Sequence, residues 1–387
     1  MSGPEAIRDA LDPRAARFQA LFFVQFAAFS GFAVFRNVYL EEIGLTGGQM
    51  GLIGAVMTMA GVLAQPVWGV VTDELNAAKP ALVVGAAVSA LGILAYPVSE
   101  RFTEPFLFLL VGTAVYAAFR APIVPVANAM VLGRGIDYGN VRAFGSVAFG
   151  IGSLLFGALV SSLGVPVIVY AYVAGMAVLV VVAWGLPAET EGRDGPSVPP
   201  LTLLRSRGFL LLLAVSFVLG ASLRGGSAFF SVYMRAVGSG DALTGAAWAV
   251  KTVFEAVAFV YALRVARSYT ALLVLGAAGT ALQFLVYSLT AAPVFVVAVQ
   301  AAAGLGYAAF YLGAVNLAHE VAPDDLRATA QTVLAGAGLG AGGALGQVVA
   351  GSLTDMYGVQ EMYVYLAAIG FAAAALATLV RFVEQEP

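Results

Sequence analysis

Apolar residues in this chain come in unbroken runs of about twenty, divided by short polar breaks. Half-buried strands and surface helices would instead show regular alternation or a one-sided stripe. A helix rises about 1.5 Å per residue, so such a run covers roughly 30 Å of hydrocarbon. The runs predict spans at 18–40, 49–71, 81–99, 105–130, 138–161 and 166–186, then at 208–234, 243–264, 269–290, 294–318, 328–354 and 361–380. The alternating ten-residue segments of an outer-membrane barrel are missing. Between the two sets, AETEGRDGPSVPP (Ala188–Pro200) clusters Pro and Gly with no apolar periodicity, which predicts a linker.

The expected organisation is an N-terminal six-helix bundle over 1–187, a cytoplasmic linker over 188–207 and a C-terminal six-helix bundle over 208–387. A weak internal echo supports two related halves. Val141-Arg142-Ala143 opens the fifth span and Leu326-Arg327-Ala328 opens the eleventh, each before a glycine-rich helix. The fold class expected is an all-α membrane protein, twelve transmembrane helices in two pseudo-symmetric bundles with a midplane cavity.

Composition sharpens this. Of 387 residues, 61% are hydrophobic and 11% charged, against roughly 25% charged in soluble domains. With no cysteine, disulfides and thiolate metal sites are excluded, and a single histidine, His319, builds no histidine cluster. A net charge of −3 offers nothing to a nucleic acid. The first seventeen residues are polar and lack a short apolar core, so the first span is expected to remain as an anchor. With the N-terminus inside, thirteen of nineteen Lys and Arg fall on cytoplasmic segments, only Arg101 and Arg235 fall outside, and Arg36, Arg120, Arg224 and Lys251 fall within spans. That bias predicts a multi-pass protein of the cell inner (plasma) membrane with both termini cytoplasmic.

Two motifs carry a resemblance. After the second span the chain reads Gly69-Val-Val-Thr-Asp73-Glu74-Leu-Asn-Ala-Ala-Lys79. This resembles the G-x-x-x-D-[RK]-x-G-[RK] inner loop of the major facilitator superfamily, with an acid at 74 where a base is usual and no glycine at 76. The resemblance implies gating by Gly69 and Asp73, the glycine allowing close helix approach and the carboxylate capping or pairing with a neighbouring helix end. The stretch Tyr138-Gly-Asn-Val-Arg142-Ala-Phe-Gly145-Ser146 resembles the Y-G-x-x-R-x-x-G-S segment of the lactose permease, nucleoside and phenylpropionate proton-symporter branch. It implies the major facilitator fold and a substrate-binding Arg142; a plain cytoplasmic-end arginine is the alternative.

In the eighth span Lys251 and Glu255 lie four residues apart and share a face. Glu255 is roughly 18 Å into that span, and a charge there costs about 2.5–3.5 kcal/mol on insertion scales, so the pair should face a wet cavity. The resemblance gives Glu255 a substrate-binding role; a structural ion pair is the alternative, and whether it carries protons is open. Relatives have an acid in span four where this chain has Asn128, and their histidine and carboxylate of span ten are missing from 301–310. Arg120, Arg142, Arg224 and Lys251 against Glu255 leave a charge of 4 − 1 = +3, which an anionic solute would offset. No lysine follows a glycine, so no phosphate-binding loop is present.

The function expected is secondary transport of a sugar, nucleoside or organic acid by a monomer, through proton symport, or else uniport or antiport of an organic anion. No cofactor, metal, nucleic acid or enzymatic activity is expected, and the lipid bilayer is the surroundings. Arg142, Asn128, Glu255, Lys251, Arg120 and Arg224 are the substrate-binding candidates.

Overall fold

The computed structural model describes residues 13–187, 200–265 and 268–383. Most of the expected linker (188–199) and both chain ends lie outside the described residues. Among the described residues, twelve helices long and apolar enough to cross a membrane run in order: α1 Ala15–Glu42, α2 Gly47–Glu74, α3 Ala78–Ser99, α4 Pro105–Leu132, α5 Tyr138–Leu163, α6 Val167–Trp184, α7 Arg207–Ala236, α8 Asp241–Ala262, α9 Tyr269–Leu289, α10 Pro293–Val321, α11 Arg327–Tyr357 and α12 Val359–Val380. No strand occurs among the described residues. This is the all-α, twelve-span fold expected from the apolar runs. Helices satisfy their own backbone, which hydrocarbon requires of anything that crosses it.

The chain forms two compact units. One holds residues 1–39 and 59–193, the other 40–58 and 194–387. The N-terminal turns of α2 therefore count with the second unit and its remainder with the first.

Each unit is built on an aromatic core from corresponding helices. In the first, Phe32 of α1 lies 5.1 Å from Tyr96 of α3 and 5.0 Å from Tyr116 of α4, ring to ring, and Tyr116 lies 5.4 Å from Tyr172 of α6. In the second, Phe230 of α7 lies 5.6 Å from Tyr287 of α9, and Tyr287 lies 5.2 Å from Tyr363 of α12. The first, third and sixth helices of each half thus contribute rings to its core. Three of these hydroxyls are tied down: Tyr96 pairs with Thr113, Tyr172 with Ser89, and Tyr363 donates to the Gly226 carbonyl, while the Tyr116 hydroxyl is buried without a hydrogen-bond partner. Buried phenols need such partners.

Helix α4 is broken at Ala121–Pro122, and the repair is visible. Pro122 has no N–H, so the Ala118 carbonyl one turn earlier loses its helical donor. The indole Nε1 of Trp68 on α2 donates to that carbonyl at 3.0 Å. The break sets the direction of Arg120, the last residue of the first α4 segment.

Cations hold helix ends near the α6 terminus. Arg17 donates to the Gly185 carbonyl at 2.6 Å, and Arg134 to the Met130 carbonyl at 3.0 Å, each at the negative end of a helix dipole.

Replacing Trp68 by Phe keeps the ring but orphans the Ala118 carbonyl. The expected outcome is a loss of about 1 kcal/mol, seen as a lower melting temperature of the purified protein. An unchanged melting temperature would remove Trp68 from this role.

Candidate functional site

In the first unit, the two candidate arginines rest on one helix face. Phe26 and Phe29 are three residues apart on α1. The Arg142 guanidinium lies 4.6 Å from the Phe26 ring centre and that of Arg120 lies 4.1 Å from the Phe29 ring centre. Arg142 also donates to Ser146 Oγ one turn on, at 3.3 Å. Asp137 begins this helix, its carboxylate accepting from the Gly139 and Asn140 amides at 2.9 and 3.4 Å. The acid ahead of the Y-G-x-x-R stretch is therefore a cap that fixes where Arg142 starts its turn.

Arg120 presents an Nε with no hydrogen-bond partner, and so does Asn128 with its Oδ1. Both atoms are shielded and both lie on α4, on either side of the Pro122 break. A cation stacked on a ring retains in-plane N–H donors, which suits it to an oxyanion or hydroxyl acceptor.

In the second unit the structure brings Arg224, Lys251 and Glu255 together. Glu255 and Arg224 are the charged neighbours close enough to act on Lys251. The Lys251 ammonium lies 4.8 Å from the Trp248 ring centre and 5.6 Å from that of Tyr307 on α10. Helix α10 reaches this position because Gly304 has no side chain. A Cβ there would sit 2.7 Å from the Glu255 amide nitrogen and still closer to the Lys251 carbonyl. Any larger residue pushes α8 and α10 apart at the charged pair.

Beside Lys251 a cavity of about 10 Å³ opens within this unit, lined by Ser227, Trp248, Gln283 and Gln300 among others. That is room for about one water or one hydroxyl group. Gln283 is committed, donating to the Tyr287 hydroxyl at 2.9 Å. Gln300, only 2% exposed, has a side-chain carbonyl oxygen without a partner. Sequence reasoning missed Gln283, Gln300 and Gly304. An amide inside an apolar run is a usable signal, since a buried amide must find partners; Gly304 was one small residue among many.

The gating pair lies at one end of α2. Gly69 and Asp73 belong to the last turns of α2, not to a loop, which starts at Leu75. A Cβ on Gly69 would meet nothing within 4 Å, so the close helix approach expected there is not made, and Asp73 is exposed. Among the described residues, no three His, Asp or Glu side chains lie together as a metal site.

Comparison with known proteins gives one family by sequence profile and one fold by structure. The profile described as MFS_1 like family matches residues 15–365. The maltose permease of Geobacillus stearothermophilus is 26% identical over 358 residues, covering 90% of each chain. The probable 3-phenylpropionic acid transporter of Escherichia coli (strain K12) is 27% identical over 248 residues, 62% of this chain and 64% of that one. Among solved structures, the nucleoside transporter NupG superposes with a TM-score of 0.84 at 15% identity, covering 97% of this chain and all of the other; a bacterial homologue of the lysosomal transporter Spinster gives 0.72 at 14%, covering 99% and 98%. These structural likenesses establish the fold.

Two changes test the second-unit cluster. Gln300→Leu removes an unsatisfied buried acceptor, so thermal stability should hold or rise. Gly304→Val should lower the melting temperature by separating α8 from α10. A destabilised Gln300→Leu protein would mean that its amide already has a structural partner.

Proposed function

Because this chain belongs to the MFS_1-like family of the major facilitator superfamily, we propose that it is a secondary transporter moving a small polar organic solute by alternating access with proton symport. It is a multi-pass membrane protein, and its transporter class is that of sugars, nucleosides and organic acids. The plasma membrane with both termini inside is the orientation that the Lys and Arg distribution favours. A single six-plus-six chain working as a monomer belongs to the same proposal.

The observation that carries this reading is the Arg224–Lys251–Glu255 cluster, held by helices that otherwise present almost only apolar residues. Charge in a span is costly and is kept where it binds or moves something. The substrate contacts we assign are Arg120, Asn128 and Arg142 from the first unit and Arg224, Lys251 and Glu255 from the second. Gln300 joins them, its free carbonyl oxygen suited to a solute hydroxyl. Ring faces at Trp248 and Tyr307 add apolar surface for the carbon face of a sugar, a base or an aromatic acid. Glu255 is the proton site we assign, as the carboxylate of this set. Gly69 and Asp73, at the end of α2, are assigned to gating when that end meets a neighbouring helix.

A second reading, uniport or antiport of an organic anion, is favoured by one specific observation. The candidate set counts four cations to one carboxylate, and the Arg120 Nε is buried with no hydrogen-bond acceptor. An anionic solute supplies that acceptor.

Purified protein in proteoliposomes, offered labelled maltose, a nucleoside or 3-phenylpropionate, separates the two. Symport predicts accumulation above equilibrium when the interior is made alkaline. Glu255→Gln should abolish that accumulation yet leave solute exchange running, since exchange needs no net proton release. Arg142→Ala should lower uptake about tenfold or more through loss of a charge-assisted bond. Uptake that ignores the imposed gradient would replace symport with the second reading.

A further inference from the structure

The outer end of α2 is held by α11 through a bond that the site described above does not use. The first four amides of a helix have no partner within it. In α2 they are all satisfied, by two sources. Thr46 and Gln49 form a capping box: Thr46 Oγ1 accepts from the Gln49 amide at 3.3 Å, and Gln49 Oε1 accepts from the Thr46 amide at 3.0 Å. The Thr46 carbonyl takes the Met50 amide at 2.9 Å. The Gly47 and Gly48 amides remain, and both donate to Asp355 at the end of α11, to Oδ1 at 2.5 Å and to Oδ2 at 2.7 Å. One carboxylate thus closes the open end of another helix, bidentate, at the positive pole of its dipole.

The surrounding residues are shaped to this contact. A Cβ at Gly47, Gly51 or Gly351 would collide with facing backbone: Gly351 for Gly47, Gln347 for Gly51, and Gly47 for Gly351. Below them, Gln347 on α11 donates to Thr58 Oγ1 at 2.9 Å and to the Gly54 carbonyl at 3.2 Å. Arg235 at the end of α7 pairs with Glu42 at the end of α1 at 2.7 Å, and with Asp241 at 2.8 Å. These contacts are why residues 40–58 count with the second unit. The five-residue pattern Gly351-Ser-Leu-Thr-Asp355 also occurs as Gly69-Val-Val-Thr-Asp73 at the opposite end of α2, where the carboxylate is exposed and the glycine faces open space. The pattern alone therefore does not dictate the bond.

We propose that Asp355 is a positioning residue of the transport cycle, a latch whose bonds to the Gly47 and Gly48 amides hold that face of the protein shut and break each time it opens. The proposal rests on the transporter reading, because it gives the latch its work. By sequence α2 belongs to the first six-helix half, so rocking of that half must carry residues 40–58 away from α11. The reach is short: a carboxylate gripping two amides releases both within about 1 Å of separation. Gly47, Gly51 and Gly351 then let the two backbones return to contact.

The chain has no cysteine, so introduced thiols report cleanly. A Cβ at Gly48 would lie 3.1 Å from Asp355 Oδ2 and meet no backbone within 4 Å. Gly48→Cys with Asp355→Cys should therefore cross-link on oxidation and replace the latch with a bond that cannot open. Uptake should fall at least about tenfold on cross-linking and return on reduction, while each single variant ignores both treatments. Cross-linked protein that transports as fast as its reduced form would overturn the proposal. The second arm needs no transport: Thr58→Cys in proteoliposomes is labelled with a membrane-impermeant maleimide. Asp355→Asn, which keeps one acceptor, should speed labelling about fivefold, with Asp355→Glu nearer the parent rate. Equal rates in all three folded proteins would also sink it. A parent that moves none of the solutes offered would count against the function proposed above, and the labelling arm would still judge the latch.

Discussion

Hydrocarbon offers no hydrogen bonds, so every polar group carried into the membrane must find its partner within the protein. Much of this structure can be read as answers to that constraint. The Ala118 carbonyl released by Pro122 is taken by an indole from α2. The Tyr96, Tyr172 and Tyr363 phenols of the two aromatic cores end on hydroxyls or a carbonyl. The α2 terminus, whose capping box leaves two amides over, borrows a carboxylate from α11. Where the answer is incomplete, as at Arg120 Nε, Asn128 Oδ1 and Gln300 Oε1, the open valence is a place for something that the fold does not itself supply.

The same constraint sorts the cations. Arg17 and Arg134 sit where helices end and donate to carbonyls there, so their positions serve helix termination. Arg120, Arg142 and Lys251 sit on aromatic faces instead. An aromatic face attracts a cation without consuming its donors. The solute contacts proposed above need such donors, which a full set of carboxylate partners would occupy.

Glycine decides which helices touch. Gly304 admits α8 at the level of Lys251 and Glu255, while Gly47, Gly51 and Gly351 admit α11 to the N-terminal turns of α2. With little hydrophobic drive between helices in lipid, close backbone approach is a main source of cohesion. It is also reversible, because smooth backbone surfaces part without unthreading interlocked side chains. The seven-residue π-helical stretch Gly336–Gly342 within α11 adds a point where that helix departs from regular winding.

The sequence alone was enough for the fold, because a span is a one-dimensional property: twenty apolar residues announce themselves without reference to any neighbour. All twelve helices lie within a few residues of the runs that predict them. The same holds for the family resemblance in the stretch around Arg142, now joined by a profile match over most of the chain. Partnership is different. That Gly69 would face open space while Gly351 meets backbone, or that Asp355 and not Asp73 would hold a helix end, depends on which helices are adjacent. Two identical G-x-x-T-D patterns have different surroundings, and no local rule tells them apart. Packing across hundreds of residues of sequence separation settles such matters, since a glycine or carboxylate acts only through what stands opposite it.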